Sequence, residues 1–280
     1  MNISQQTEID HFLTTGEYDS TFATWTGDTF SVGASRGDTA LRNALISTVL
    51  FRANQVDVPA SWINIDQKIN TRAKFSPMVQ GLFPQKEHSI ILDMLEHSVV
   101  FLSPTTIIPV LKNMPWLKTA WDLANIYLSS LNAKLLTDDV PAIVGISEET
   151  TCYVSMEYFH NDNKFNDYVT HEAAHIFHNC KRKTIGLPET RRHEWLLDID
   201  YAKRETFAYA CEAYSRILEL GGTRAIRSQL LSELAEGPMP SDDKVQAPEY
   251  VDILKEAVAA RNGWKRILNR CASQSAIRKT

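Results

Sequence analysis

The stretch Tyr168-Val-Thr-His-Glu-Ala-Ala-His-Ile-Phe177 contains the residue types from which a metal centre with its own proton acceptor is built. On a helix, His171 and His175 lie four residues apart and project from one face, one turn above the other. Two imidazoles so placed can hold one tetrahedral zinc at about 2.0–2.1 Å each. Glu172 sits about 100° round the helix from His171 and about 60° from His175, near the metal but off the ligand direction. A carboxylate there can act as general base toward a zinc-activated water, so the predicted chemistry is hydrolysis. Ala173 and Ala174 favour the helix, and Ile176 and Phe177 can seat it in a core. The plain alternative is a buried helix with two hydrogen-bonded histidines and a solvated Glu, although an unmetallated pair gains little from burial.

A third protein ligand must come from further along the chain. His178 shares the face but lies seven residues past His171, roughly 10 Å along the axis, too far to join both histidines on one ion. Cys180 is further still. The segment from Asp200 to Leu220 reads as a second helix, ended by Gly221-Gly222. Glu205 and Glu212 lie seven residues apart on one face of it, beside Ala208 and Cys211. Carboxylates on a face otherwise small or apolar need a metal, a histidine or an Arg as partner. The plain alternative for either is surface pairing with Lys203, Arg204 or Arg216.

Together these residues resemble the zincin metallopeptidases. The metzincin pattern would need glycine at position 178 and histidine at 181, where this chain has His178 and Lys181, and the glycine of the aspzincin pattern is missing too. The chain is similar instead to gluzincins, in which a carboxylate from a later helix completes the set. Glu205 follows His175 by 30 residues and opens a Glu-x-x-Ala pattern like theirs. The resemblance covers roughly residues 140–220. It implies one Zn2+ per chain on His171, His175 and Glu205, catalysis by Glu172, and a peptide or protein substrate. It further implies Glu212 as acceptor for the N–H of a ligand histidine; Glu212 as third ligand, with the roles exchanged, is the alternative. Many gluzincins carry Asp four residues after the ligand Glu, whereas Tyr209 stands there, so the resemblance names a clan and no single family. In zincins a His, Tyr or Arg from downstream segments can stabilise the oxyanion, which makes His193, Tyr209 and Tyr214 candidates.

The elements that must position these groups point to an α+β, mainly helical fold. The expectation is a zincin-like core, with a small antiparallel sheet packed on the motif helix, and a helical N-terminal region. Pro141–Ile146 and Thr151–Met156 read as strands joined at Glu148-Glu149-Thr150, the second being the edge strand onto which a peptide would add. Asn163 or Asn166 is expected to cap the motif helix. Upstream, Thr21–Trp25 and Thr29–Val32 alternate like a hairpin, with turn signals at Gly27-Asp28 and Gly33. Asp38 then caps a helix over 39–53, and Pro59, Pro77 and Pro84 break the following stretch. Helices are expected near 89–101, 105–111, 115–135, 223–236 and 248–262. A boundary near 136–140 divides the chain into an N-terminal region, 1–135, and a metallopeptidase domain, 136–280.

Composition narrows the function classes. Of 280 residues, 44% are hydrophobic and 22% charged, ordinary for a folded protein, and the net charge of −5 argues against general nucleic-acid binding. The locally basic stretch from Arg261 to Lys279 reads as a solvated helix face and a frayed tail. The N-terminus has neither a basic n-region nor an apolar h-region, and no apolar run approaches the roughly 18 residues of a membrane span. Cys152, Cys180, Cys211 and Cys271, without C-x-x-C spacing, read as reduced and mostly buried thiols. The expectation is a cytoplasmic zinc hydrolase restrained by a narrow substrate or a regulating protein partner. The reading from a different class is a zinc-stabilised regulatory or interaction protein without turnover.

Overall fold

The computed structural model describes residues 2–57, 71–138, 143–160, 163–190 and 193–273. In chain order, α1 spans Ile3–Thr15, α2 Phe30–Ala53, α3 Thr71–Leu82 and α4 His88–Glu96. Strand β1, Val99–Leu102, precedes α5, Ile107–Asn113, and α6, Leu117–Ser130. Strands β2, Gly145–Glu148, and β3, Thr151–Ser155, lead into α7, Tyr168–Asn179. The rest is α8, Arg204–Leu220, α9, Arg224–Glu236, α10, Ala247–Ala259, and α11, Gly263–Cys271. The fold is therefore α+β and mainly helical.

The chain forms two compact units that interleave along the sequence. One comprises Met1–Asp66, Phe101–Gly145 and Ser155–Glu157; the other Gln67–Val100, Ile146–Val154 and Tyr158–Thr280. A single cut near 136–140 does not describe this arrangement, because residues 67–100 join the second unit. There α3 packs on α11, and Gly81 lies so close beneath Trp264 that a Cβ would stand 2.3 Å from its Cδ1.

In the first unit, α1 begins with a capping box between Asn2 and Gln5. It ends at Gly16, whose φ of +73° and closeness to the Trp121 ring (2.9 Å from a built Cβ) both require glycine. Trp121 Nε1 also donates to the Leu13 carbonyl at 3.0 Å. The expected hairpin over 21–32 does not form. Helix α2 starts at Phe30, capped by Thr29, and Asp38 lies inside it. Gly33 and Gly37 serve close packing here: a Cβ on Gly37 would meet the Phe22 ring at 2.3 Å and the Trp25 ring at 2.8 Å. Phe12, Leu41, Leu45, Val49, Leu111 and Leu123 make up the core of this unit.

In the second unit, α8 is the central helix, packed against α7, α9, α10 and α11. Its buried face includes Phe207, Ala208, Ala210, Cys211 and Ile217. Pro77 sits inside α3 without breaking it; the buried Phe75, Met78, Val79 and Leu82 hold that helix by tertiary packing. The strand order is β1-β3-β2. Glu149, with φ +44°, turns β2 back on β3 as an antiparallel hairpin, and β1 adds on the other side, so the sheet is mixed rather than antiparallel. Strand β3 is consequently central, not an edge, and β1 and β2 flank it as the outer strands. The apolar run Val99–Leu102, read as the end of a helix, supplies the extra strand.

Candidate metal centre

Helix α7 is set at its start by Asp167, not by Asn163 or Asn166. The Asp167 carboxylate accepts the Thr170 N–H at 3.1 Å and the Thr170 hydroxyl at 2.9 Å. It also meets Lys74 Nζ of α3 at 2.5 Å, and that ammonium lies 3.5 Å from Glu219 of α8. Asp167 is 1% exposed, so its charge depends on these partners. Burial pushes the Lys74 pKa down, but Asp167, Tyr158 and Glu219 together outweigh that and raise it. Val169, Ala173, Ile176 and Phe177 are fully buried along the inner side of α7. His171 and His175 are left half-buried on its other side.

His171 Nε2, His175 Nε2 and Glu205 Oε2 converge on one point. The two nitrogens are 3.1 Å apart, His175 is 3.3 Å from the carboxylate and His171 3.9 Å. Ligand atoms about 2.0–2.2 Å from one tetrahedral ion would be separated by about 3.3–3.6 Å, so the residues fit a small divalent cation. Among the described residues, these three side chains form the group able to hold a metal.

The other ring nitrogens have partners that set the tautomers. His171 Nδ1 lies 3.1 Å from Glu212 Oε2, whose second oxygen accepts the Asp167 backbone N–H at 2.6 Å. A carboxylate can only accept, so the His171 proton sits on Nδ1 and its Nε2 lone pair faces the centre. His175 Nδ1 lies 3.0 Å from His178 Nε2, and His178 Nδ1 lies 3.1 Å from Asn179 Oδ1. Burial, helped by the charges of His175 and Arg204, pushes the His178 pKa down to about 3 and keeps this ring neutral. With protons running toward the Asn179 oxygen, His175 also turns a lone pair inward. Two imidazole lone pairs and a carboxylate oxygen then face one another with no donor among them, an arrangement that requires a cation or a proton.

Glu172 is 5% exposed beside this cluster. Burial pushes its carboxyl up to about 7; Glu205 and Glu212 add to the rise, while the neighbouring His175 ring and a hydrogen bond from Ser147 of β2 oppose it. Glu205 behaves oppositely. Its partial burial would raise it, but its close neighbours His175 and His171 hold it down to about 2. The Cys152 thiol, fully buried and near Glu172, is pushed well above its usual range, first by burial and then by that carboxylate. Cys152, Cys180, Cys211 and Cys271 are all buried free thiols.

Of the three residues suggested as oxyanion donors, the structure brings Tyr209 to the site, its ring 4.4 Å from that of His171. Burial raises the Tyr209 phenol to about 12, so it stays protonated. Tyr214 instead packs edge-to-face on Trp264, with centroids 4.9 Å apart. His193 lies elsewhere, exposed and 3.4 Å from the buried Arg182, which pairs bidentately with Glu87 at 2.7 and 3.2 Å. The suggested surface pairings of Glu205 and Glu212 do not occur: Lys203 pairs with Glu249 and Arg216 with Glu219.

Lys74, Ser147 and the role of His178 were not read from the sequence. The i, i+3 spacing of His175 and His178 was a usable signal for the last, whereas nothing local marks Lys74 or Ser147 as partners of this site. No helix of the described residues is long and apolar enough to cross a membrane. Comparison with known protein families, curated proteins and solved structures finds no match to this chain.

Proposed function

We propose that the chain is a zinc-dependent hydrolase of gluzincin type that cleaves peptide bonds. The observation that carries this reading is the convergence of His171 Nε2, His175 Nε2 and Glu205 Oε2, with both Nδ1 atoms engaged elsewhere, beside the buried carboxyl of Glu172. These three residues would hold zinc, which when bound acts as a Lewis acid and makes water nucleophilic near pH 7. Glu172 takes the proton of the attacking water on its carboxylate and delivers it to the leaving amine. Its value near 7 suits both transfers, since it is basic enough to accept and acidic enough to give the proton up. Glu212 holds His171 in the ligating tautomer. Tyr209 offers a protonated phenol next to His171 as a donor for developing negative charge. The outer strand β2, whose Ser147 reaches Glu172, is where an extended peptide would add.

Metal content and turnover test this together. Protein purified without a histidine tag should carry about one zinc per chain and cleave members of a peptide library. Glu205→Ala should lose the zinc, and Glu172→Gln should keep it but lose turnover. Activity retained by Glu172→Gln would end the mechanism. The burial of Glu172 and its tie to Ser147 also suit a second reading, a centre that only staples α7 to α8 in a regulatory or interaction protein. That reading predicts zinc and stability, with no peptide cleaved by the wild type.

A further inference from the structure

We propose that His178 and Asn179 form a tautomer relay that makes His175 a metal ligand, so that His178 is a positioning residue of the centre. This rests on the reading of His171, His175 and Glu205 as the metal site.

The two histidines of the motif are supported in chemically different ways. Glu212 accepts only, so it fixes the His171 proton on Nδ1 without further help. An imidazole is ambiguous: the Nε2 of His178 can donate to His175 Nδ1 or accept from it at the same 3.0 Å. If it donated, the His175 proton would move to Nε2, and the atom facing His171 and Glu205 could bind no metal. The direction is decided one step further out, where His178 Nδ1 meets Asn179 Oδ1 at 3.1 Å. An oxygen there demands the proton on Nδ1, which leaves Nε2 of His178 as an acceptor and Nε2 of His175 as a lone pair. The relay is short and stiff. His178 is 3% exposed, its ring stands nearly perpendicular to that of His175 at 87°, and all three residues lie on the last turn and a half of α7.

The test is zinc affinity, measured by competition with a chromophoric chelator on metal-free protein, with the visible spectrum of the cobalt-substituted form as a second readout. Support of this kind is worth about 10–100-fold in metal affinity. His178→Ala should weaken zinc by that factor, and His178→Gln, whose carbonyl can still accept from His175 Nδ1, should recover most of the loss. Asn179→Ala should weaken binding, while Asn179→Asp, an obligate acceptor, should bind at least as tightly as the wild type. The half-buried position of Asn179 at the helix end makes that pair informative even where His178→Ala fails to fold. Wild-type affinity and an unchanged cobalt spectrum in His178→Ala and Asn179→Ala, or a Gln variant as weak as the Ala variant, would overturn the relay while leaving the metal site intact. A wild type that binds no zinc would instead overturn the metal site itself.

Discussion

A carboxyl group buried beside two other carboxylates costs the fold free energy whenever it ionises, and Glu172 is such a group. Its folded value of about 7 lies above the ordinary 4.5. Between these values the folded state holds a proton that the unfolded state has released, so stability falls as pH rises through that window. Glu172→Gln removes the effect. In chelator-treated protein the substitution should stabilise by up to about 3 kcal/mol above pH 7 and by little at pH 4.5. Urea midpoints at pH 4.5 and pH 8 measure the difference, and an equal gain at both would show that the carboxyl is not held protonated. The same substitution that stabilises the chain should abolish turnover, a trade-off characteristic of active-site groups. Glu212 is the other residue open to a direct test. Glu212→Gln can present its N–H instead of an acceptor to His171, and should lower zinc affinity about 10–100-fold in chelator competition, with the helices retained by circular dichroism.

At the scale of elements, the orientation of α7 depends on a few polar contacts at its first turn. Asp167 caps the helix, pairs with Lys74 and is almost wholly buried, while its backbone N–H is taken by Glu212. Asp167→Ala removes the cap, worth about 1 kcal/mol, and takes from the 11%-exposed Lys74 its nearest carboxylate, leaving Tyr158 and the longer contact to Glu219. Breaking a buried pair in this way costs about 3–5 kcal/mol, and thermal denaturation should show a loss of that order. Asp167→Asn keeps a capping side chain and should lose less, as should Asp167→Asn combined with Lys74→Met. If Asp167→Ala alone costs under about 1 kcal/mol, the ion pair is not holding α7. The mixed sheet acts at the same scale: β3 between β1 and β2 leaves β2 as the edge that carries Ser147 toward Glu172.

For the whole molecule, a metal held by the proposed centre would cross-link α7 to α8 within the second unit, where α8 packs on α7, α9, α10 and α11. A ligand that binds only the folded state stabilises it by RT ln(1 + [L]/Kd), about 4 kcal/mol at a thousandfold excess over Kd. Free zinc should therefore raise the thermal midpoint in a concentration-dependent way, and a chelator should reverse it. In His171→Ala the midpoint should not respond. A midpoint independent of zinc in the wild type would mean that the ion does not bind the folded state. Packing sets a second limit. Gly81→Ala forces a methyl against Trp264 and should destabilise by about 1–3 kcal/mol by calorimetry, with the metal site chemically untouched.

The sequence by itself determined what depends on neighbours a few residues apart. The 171–175 spacing put two histidines on one face, and the run from 200 to 220 marked a helix whose Glu205 and Glu212 share a side. Those two carboxylates face the histidines in the structure, Glu205 at the common point and Glu212 behind His171. Helix boundaries near 224, 236 and 247 were also legible from caps and breakers. Only the tertiary structure decided the rest. Lys74 and Ser147 reach the site from segments about 90 and 25 residues away, across distances on which local periodicity carries no information. Val99–Leu102 is apolar enough for helix or strand, and the pairing with β3 makes it a strand. Gly33 suggests a turn when read locally, yet α2 runs through it and Gly37 because the small residues let the Phe22 and Trp25 region pack against it. Spacing along one helix is enforced by covalent geometry, while the choice of a distant partner is made by burial, which exists only once the chain has folded.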